Sequence, residues 1–308
     1  MPPVLDSLIP VFLVICLGWA LKASNFVSEP QWDGIERVTY HVFIPALIIT
    51  TMASADLSSV PVRSIGITLF VPIALITLGL LLVRQTLEDK LGITGPAFSS
   101  LLQGAVRWNS FVAIALAAAL HGREGLTLIA VCMAFLFPTA NFIAAYGLSR
   151  HASAAQLQLL PFLISLLKNP FIWSTFIGIL IAISGLALPK VTLVFGDIIG
   201  RATLAAGLLL VGSGLDLANL KKPGAALWIS TIIKLVVYPL IAGSVGQAMG
   251  LSGTALSVLV ITSAVPTAAG AYVLARQNGG DATLMASIIT MQTLIAAATM
   301  PVMLWLFS

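Results

Sequence analysis

Charge is scarce in this chain. Its 308 residues hold only 11 acids and 15 bases, 8% charged in all, against 59% hydrophobic residues. Mean hydropathy is +1.06. A soluble domain is nearer a quarter charged, so these side chains cannot clothe a globular surface of this size. Cysteine is almost missing: Cys16 and Cys132 both lie inside apolar runs, which excludes a disulfide framework or a thiolate metal site. The two-residue alternation of an outer-membrane barrel is absent too, because the apolar runs are long and continuous. No HExxH, no phosphate-cradling glycine loop and no paired membrane carboxylates appear, which argues against an ATPase or an intramembrane protease. The bases are scattered one or two per loop, without a patch or aromatic interleaving, which speaks against nucleic acid. The residues call for no cofactor and no metal. They specify an all-α polytopic membrane protein, with the lipid bilayer as its first partner.

What is present is a series of apolar runs separated by polar or Gly/Pro breaks. They predict about ten transmembrane helices over 4–22, 34–54, 64–84, 97–120, 125–148, 158–183, 191–215, 224–247, 254–276 and 282–307. The opening MPPVLDSLIP lacks a positive n-region and reads as the start of a retained first helix. Loops after odd-numbered spans carry Lys22, Arg84, Lys90, Arg150, Lys221, Lys222 and Arg276; those after even-numbered spans carry Arg63, Arg123 and Lys190. Seven bases against three puts both termini outside, on the periplasmic face of a plasma (inner) membrane.

An internal repeat organises the chain. LGITGPAFS at 91–99 resembles MGLSGTALS at 249–257, an offset of 158. Asp33 and Arg37 are echoed by Asp197 and Arg201, and Asp56-Leu57 by Asp216-Leu217. The order of these echoes predicts two five-helix halves, 1–156 and 157–308. Five is odd, so the second half enters the membrane from the opposite side, giving an inverted repeat. The offset pairs span four with span nine, and both look interrupted. Span four carries Arg107-Trp108-Asn109 in mid-membrane; span nine carries Pro266-Thr267 at the same offset. An arginine at the centre of a span costs on the order of 2.5–3.5 kcal/mol on insertion scales, so it belongs in a polar pocket.

Four features together resemble the auxin efflux carrier family: Arg107-x-Asn109, Lys168-Asn169-Pro170 with Gly178, Ala264-x-Pro266 with the run from Tyr272 to Arg276, and Gly279-Gly280-Asp281 before a last span ending near Pro301. The resemblance covers essentially the whole chain and is strongest for malonate-permease-like bacterial members. It implies a fold related to sodium–bile-acid symporters, with a scaffold of spans 1, 2, 6 and 7 and a core of spans 3, 4, 5, 8, 9 and 10. Broken spans four and nine would cross in that core, and a homodimer through the scaffold is also implied. Two departures stand out. Trp108 occupies the place of a proline in the plant exporters, and the long central loop is missing. Spans four and nine also lack Asp and Glu, so the carboxylate-assisted sodium site of the bile-acid relatives has no counterpart ligands.

The expected function is secondary transport of a small organic anion by alternating access, with Arg107 attracting the carboxylate through charge and paired donors. Asn109 either binds substrate or satisfies the broken backbone. Pro266 makes the second break, and the Thr267 hydroxyl can reach a freed carbonyl or a ligand. Asn141 and Gln292 flank the crossing as ligands or as interhelical glue. Lys168, Asn169, Trp108, Lys234 and His41 form a second tier, gating or structural. Two alternatives stay open: a sodium- or proton-coupled carrier of larger amphipathic anions, and an anion-binding membrane sensor that transports nothing.

Overall fold

The computed structural model describes residues 2–57, 60–152, 159–186, 188–217, 220 and 224–308. Lys221, Lys222 and the boundary between residues 156 and 157 lie outside the described residues. Among these, every long regular element is helical: α1 (Pro2–Ala23), α2 (Glu29–Val38), α3 (Ile44–Ala53), α4 (Val62–Leu91), α5 (Gly95–Val106), α6 (Ser110–His151), α7 (Leu159–Leu167), α8 (Pro170–Ser184), α9 (Lys190–Ser213), α10 (Ala225–Ile232), α11 (Tyr238–Ala248), α12 (Gly253–Ala264), α13 (Gly270–Gln277) and α14 (Ala282–Leu306). Among the described residues, six stretches are long and apolar enough to cross a bilayer, including Val62–Leu91, Gly95–His151 and Ala282–Leu306. This is a multi-pass membrane protein. Its outward faces are studded with exposed Leu, Ile, Val and Phe, as lipid requires.

Two short π-helical turns interrupt otherwise continuous helices: Thr39–Phe43 joins α2 to α3, and Ile233–Val237 joins α10 to α11. Each has a local cause two residues beyond its end. Pro45 and Pro239 have no N–H, so the carbonyls of His41 and Leu235 lose their helical donors. The chain responds by widening one turn. Ile44 N–H then bonds the Thr39 carbonyl and Tyr238 N–H the Ile233 carbonyl, both five residues back.

Helices α1 and α9 lie along each other, and α3 packs on α8 and α9. The approach of α1 to α9 is set by glycine. A Cβ on Gly18 would strike the Leu209 carbonyl, and one on Gly212 would strike the Ile15 carbonyl. Backbone meets backbone on both sides of this contact. On the other side of the molecule α5, α10, α12 and α14 gather around buried Ser, Thr and Gln side chains, and α6 runs beside α12 with a sharp bend at Gly122 (φ 54°).

Helix α5 and helix α12 stop in the middle of apolar runs. They have the same length, 12 residues each, and their ends are offset by the repeat distance found in the sequence. Both end in an extended residue: Arg107 at φ −73°, ψ 157° and Val265 at φ −63°, ψ 150°. At Val265 the cause is Pro266, which disfavours the α conformation in the residue before it. At Arg107 no proline follows. Asn109 instead takes an extended conformation and caps the next helix, its Oδ1 accepting from the N–H groups of Phe111 (3.1 Å) and Val112 (3.3 Å). Trp108 in place of a proline does not prevent the interruption.

Candidate functional site

The two breaks touch. Ending α5 at Val106 leaves the Gly104 carbonyl without a donor four residues on. It accepts instead from the Thr267 hydroxyl and from Gln292 Nε2, both at 2.9 Å. Gln292 Oε1 in turn accepts from the Thr267 N–H at 2.9 Å, so one amide side chain on α14 holds both breaks. Gln292 Nε2 also lies 3.2 Å from Ser230 Oγ on α10. These groups are fully buried. Gly104 is what lets α10 come so close: a Cβ there would collide with Ser230 Oγ and stand 2.7 Å from Ile288 Cγ2.

Lys234 sits on the second π turn, fully buried. Its Nζ donates to the Ser263 carbonyl at 2.9 Å and lies 4.4 Å from the centre of the Tyr238 ring. Ser263 is the acceptor that Thr267 would have used in an unbroken helix. Pro266 itself is buried between these groups.

Arg107 is the cationic group left over. It is half-buried, its Nη1 is enclosed without a hydrogen-bond partner, and Nη2 lies 3.9 Å from where a Cβ on Gly270 would stand. Ala269 and Gly270, which open α13, are exposed. A guanidinium therefore lies beside a helix N-terminus, whose N–H groups and positive dipole end also favour an anion. None of the ion pairs among the described residues involves Arg107. The same region contains Gln103, one turn earlier on α5, fully buried with both amide heteroatoms unpartnered.

Tyr40, on the first π turn, was not singled out from the sequence. It borders a surface groove of about 260 Å³ with Asp33, Glu36, Arg37 and His41. Its ring stands edge-on to His41 (5.2 Å) and to Phe171 (5.8 Å). Phe171 lies 4.5 Å from Phe137, and Phe137 meets the Trp108 ring at 5.8 Å. An aromatic wall thus runs from the groove to the first break. Tyr40 and Lys234 occupy the same place in their π turns, second of five residues, each five residues before a proline. That spacing, Tyr40 to Pro45 and Lys234 to Pro239, is the signal that could have found Tyr40.

The remaining candidates lie apart. Asn141 is half-buried on α6, one turn beyond Phe137. Asn169 caps α8, its Oδ1 accepting from Phe171 N–H at 2.9 Å. Lys168 is exposed at the turn between α7 and α8. His41 is exposed at the groove. A second, larger recess of about 420 Å³ is lined by Asp56, Arg123, Glu124, Thr127, Ser252 and Thr254, from beyond the end of α3, the bend of α6 and the start of α12.

Comparison with known proteins finds similarity to membrane transporters. A family model described as a membrane transport protein matches residues 154–304, the stretch that includes the second break, Lys234 and Gln292. A protein named only as a transporter, from Methanothermobacter thermautotrophicus, is 25% identical over 313 residues, spanning 97% of this chain and 96% of the relative.

Proposed function

On the premise that this chain belongs to the auxin efflux carrier family of membrane transporters, we propose that it is a secondary carrier or facilitator of small organic anions such as malonate, malate or auxin-like acids. Arg107 binds the carboxylate. One observation carries the reading: a guanidinium with an unpartnered enclosed donor, at a mid-span helix break, beside the exposed N-terminus of α13. Intramembrane ionisable groups without structural partners mark substrate pathways.

The helices form ten crossings as an inverted repeat of five and five, with the α5/α6 and α12/α13 breaks meeting in the core. Support comes from the equal length and matched ends of α5 and α12, and from hydrogen bonds joining the breaks. The helices of spans 1, 2, 6 and 7 (α1, α2–α3, α7–α8 and α9) form the scaffold, and the rest move against it. Both termini face the periplasm, as the distribution of loop lysines and arginines favours. Energy comes from the substrate gradient, the membrane potential or a coupled ion.

The test is flux of a carboxylate panel (malonate, malate, pyruvate, indole-acetate) into proteoliposomes. Saturable uptake by the wild type, abolished in Arg107→Ala and weakened in Arg107→Lys, is expected, because lysine lacks the paired donors of the guanidinium. Normal flux in Arg107→Ala would remove the arginine from its assigned role. Binding without flux for any member would favour a sensor.

A further inference from the structure

The end of α12 asks for a cation. Beyond the Val265 N–H, which bonds the Ile261 carbonyl at 3.1 Å, the helix has no further donors of its own. The Thr262 carbonyl faces Pro266, which has no N–H, and the Ser263 carbonyl has lost Thr267 to Gln292. These carbonyls carry the negative end of the half-helix dipole into a region sealed from water. At the other break the freed Gly104 carbonyl is satisfied by a hydroxyl and an amide, both neutral. At α12 the donor is the amine nitrogen of Lys234.

We propose that the Lys234 ammonium is a tethered cation filling a monovalent-cation site at the end of α12, so that the site admits an alkali-metal or small ammonium ion only when this side chain is removed. The ligand set is carbonyl oxygen below and the Tyr238 ring face 4.4 Å away, the chemistry that suits a monovalent cation or an ammonium. No carboxylate among the described residues forms an ion pair with Lys234. Its charge is therefore answered by dipoles and a π face, as a bound ion's would be. Ser230 and Lys234, four residues apart on one helical face, both bond groups at the breaks, and Tyr238, four residues further on, lies against the Lys234 side chain.

The inference bears on how the carrier proposed above is coupled, yet its test needs no substrate, so loss of the transport reading leaves it standing. Thermal melting of the purified full-length protein is followed in sodium, potassium and choline chloride, for wild type and Lys234→Ala. Wild type melts at the same temperature in all three salts. Lys234→Ala melts lower, and regains stability as ethylammonium or sodium is raised, following a saturable binding curve, but not with ethanol. A wild type stabilised by sodium over choline would overturn the proposal. So would a variant as stable as wild type in choline, or one insensitive to every monovalent cation. If Lys234→Ala does not survive purification, Lys234→Met is measured in the same way. Failure of both to fold, even with ethylammonium present throughout, also refutes the proposal, because the ammonium would then not be replaceable by a free ion.

Discussion

Ser263 and Thr267 stand four residues apart, acceptor and donor of a helical hydrogen bond that neither makes. The Ser263 carbonyl takes the Lys234 ammonium at 2.9 Å, and the Thr267 N–H goes to Gln292 Oε1 at 2.9 Å. A helix broken inside a bilayer must find a substitute for each freed group. Here two side chains from two other helices supply them, and they tie α12 to α10, α14 and α5.

Gln292 is expected to matter to folding as much as to transport. Gln292→Leu would leave the Thr267 N–H bare and remove one of two donors from the Gly104 carbonyl. The cost is about 1–3 kcal/mol, towards the lower end if the freed groups find other partners within the membrane. A lowered melting temperature in detergent, with reduced maximal flux and little change in apparent substrate affinity, is the expected pattern. A selective rise in the substrate KM would instead make Gln292 a ligand.

Gly104→Ala tests the close approach of α5 and α10. The added methyl collides with Ser230 Oγ and stands 2.7 Å from Ile288 Cγ2, and overpacking of this kind costs roughly 1–3 kcal/mol. Ser230→Ala should relieve part of it when combined with Gly104→Ala, since the hydroxyl is the nearest obstacle. Additive losses in the double variant, measured by melting, would show that the obstacle lies elsewhere.

For Asn109 the structure supplies a capping role. Removing the cap in Asn109→Ala should destabilise the start of α6 by about 1 kcal/mol, while Asn109→Ser or Asn109→Asp retains most of it. If flux follows stability through this series, the residue is a cap. Lost flux in Asn109→Ser, with melting preserved, would make it a substrate contact.

His151 stands at the loop end of α6, its ring edge-on to Phe98 at 5.0 Å. Burial, and then Arg84 and Arg150, hold its imidazole below the ordinary histidine range, against an opposing pull from Glu88. The folded state therefore binds the proton less readily than the unfolded one. Stability is complete above about pH 6.5, declines as pH falls, and levels off below the depressed folded-state pKa. His121, lowered by burial against the pull of Glu124, contributes in the same direction. Melting temperature should fall on acidification towards pH ~5, and His151→Gln should show a shallower fall. An unchanged slope would assign the effect to other groups.

The all-helical, membrane-embedded character was legible from composition and run length together: so few charged residues cannot solvate a surface, and long continuous apolar runs do not read as barrel strands. The interruptions at Arg107 and Pro266 were legible from polarity and proline inside apolar runs. Proline by itself was a poor guide: Pro10, Pro72, Pro138 and Pro301 all sit inside helices that continue past them, whereas α5 ends with no proline at all. Pro45 and Pro239 produce π turns rather than breaks, so the residue name does not say which response the backbone makes. The partners of Lys234 and Gln292 were hidden for a related reason. Each bonds a backbone group freed elsewhere, and backbone groups leave no mark in the residue names. Tyr40 passed unnoticed because a tyrosine near a helix entry reads as an ordinary interfacial aromatic.

The glycine contact between α1 and α9 has its own implication for movement. At Gly18 and Gly212 the two helices lie carbonyl against Cα, with no side chain between them to act as a bearing. Shifting either helix by one residue would bring Trp19 or Val211 to the spot and lock the pair. These two helices are keyed together, like a shaft in its slot. The opposite edge of α9 is built differently: Gly207 rests on the Phe111 ring at the start of α6, and a ring can turn aside. Whatever displacement the protein undergoes should therefore part along the Phe111 edge and leave the α1–α9 seam shut.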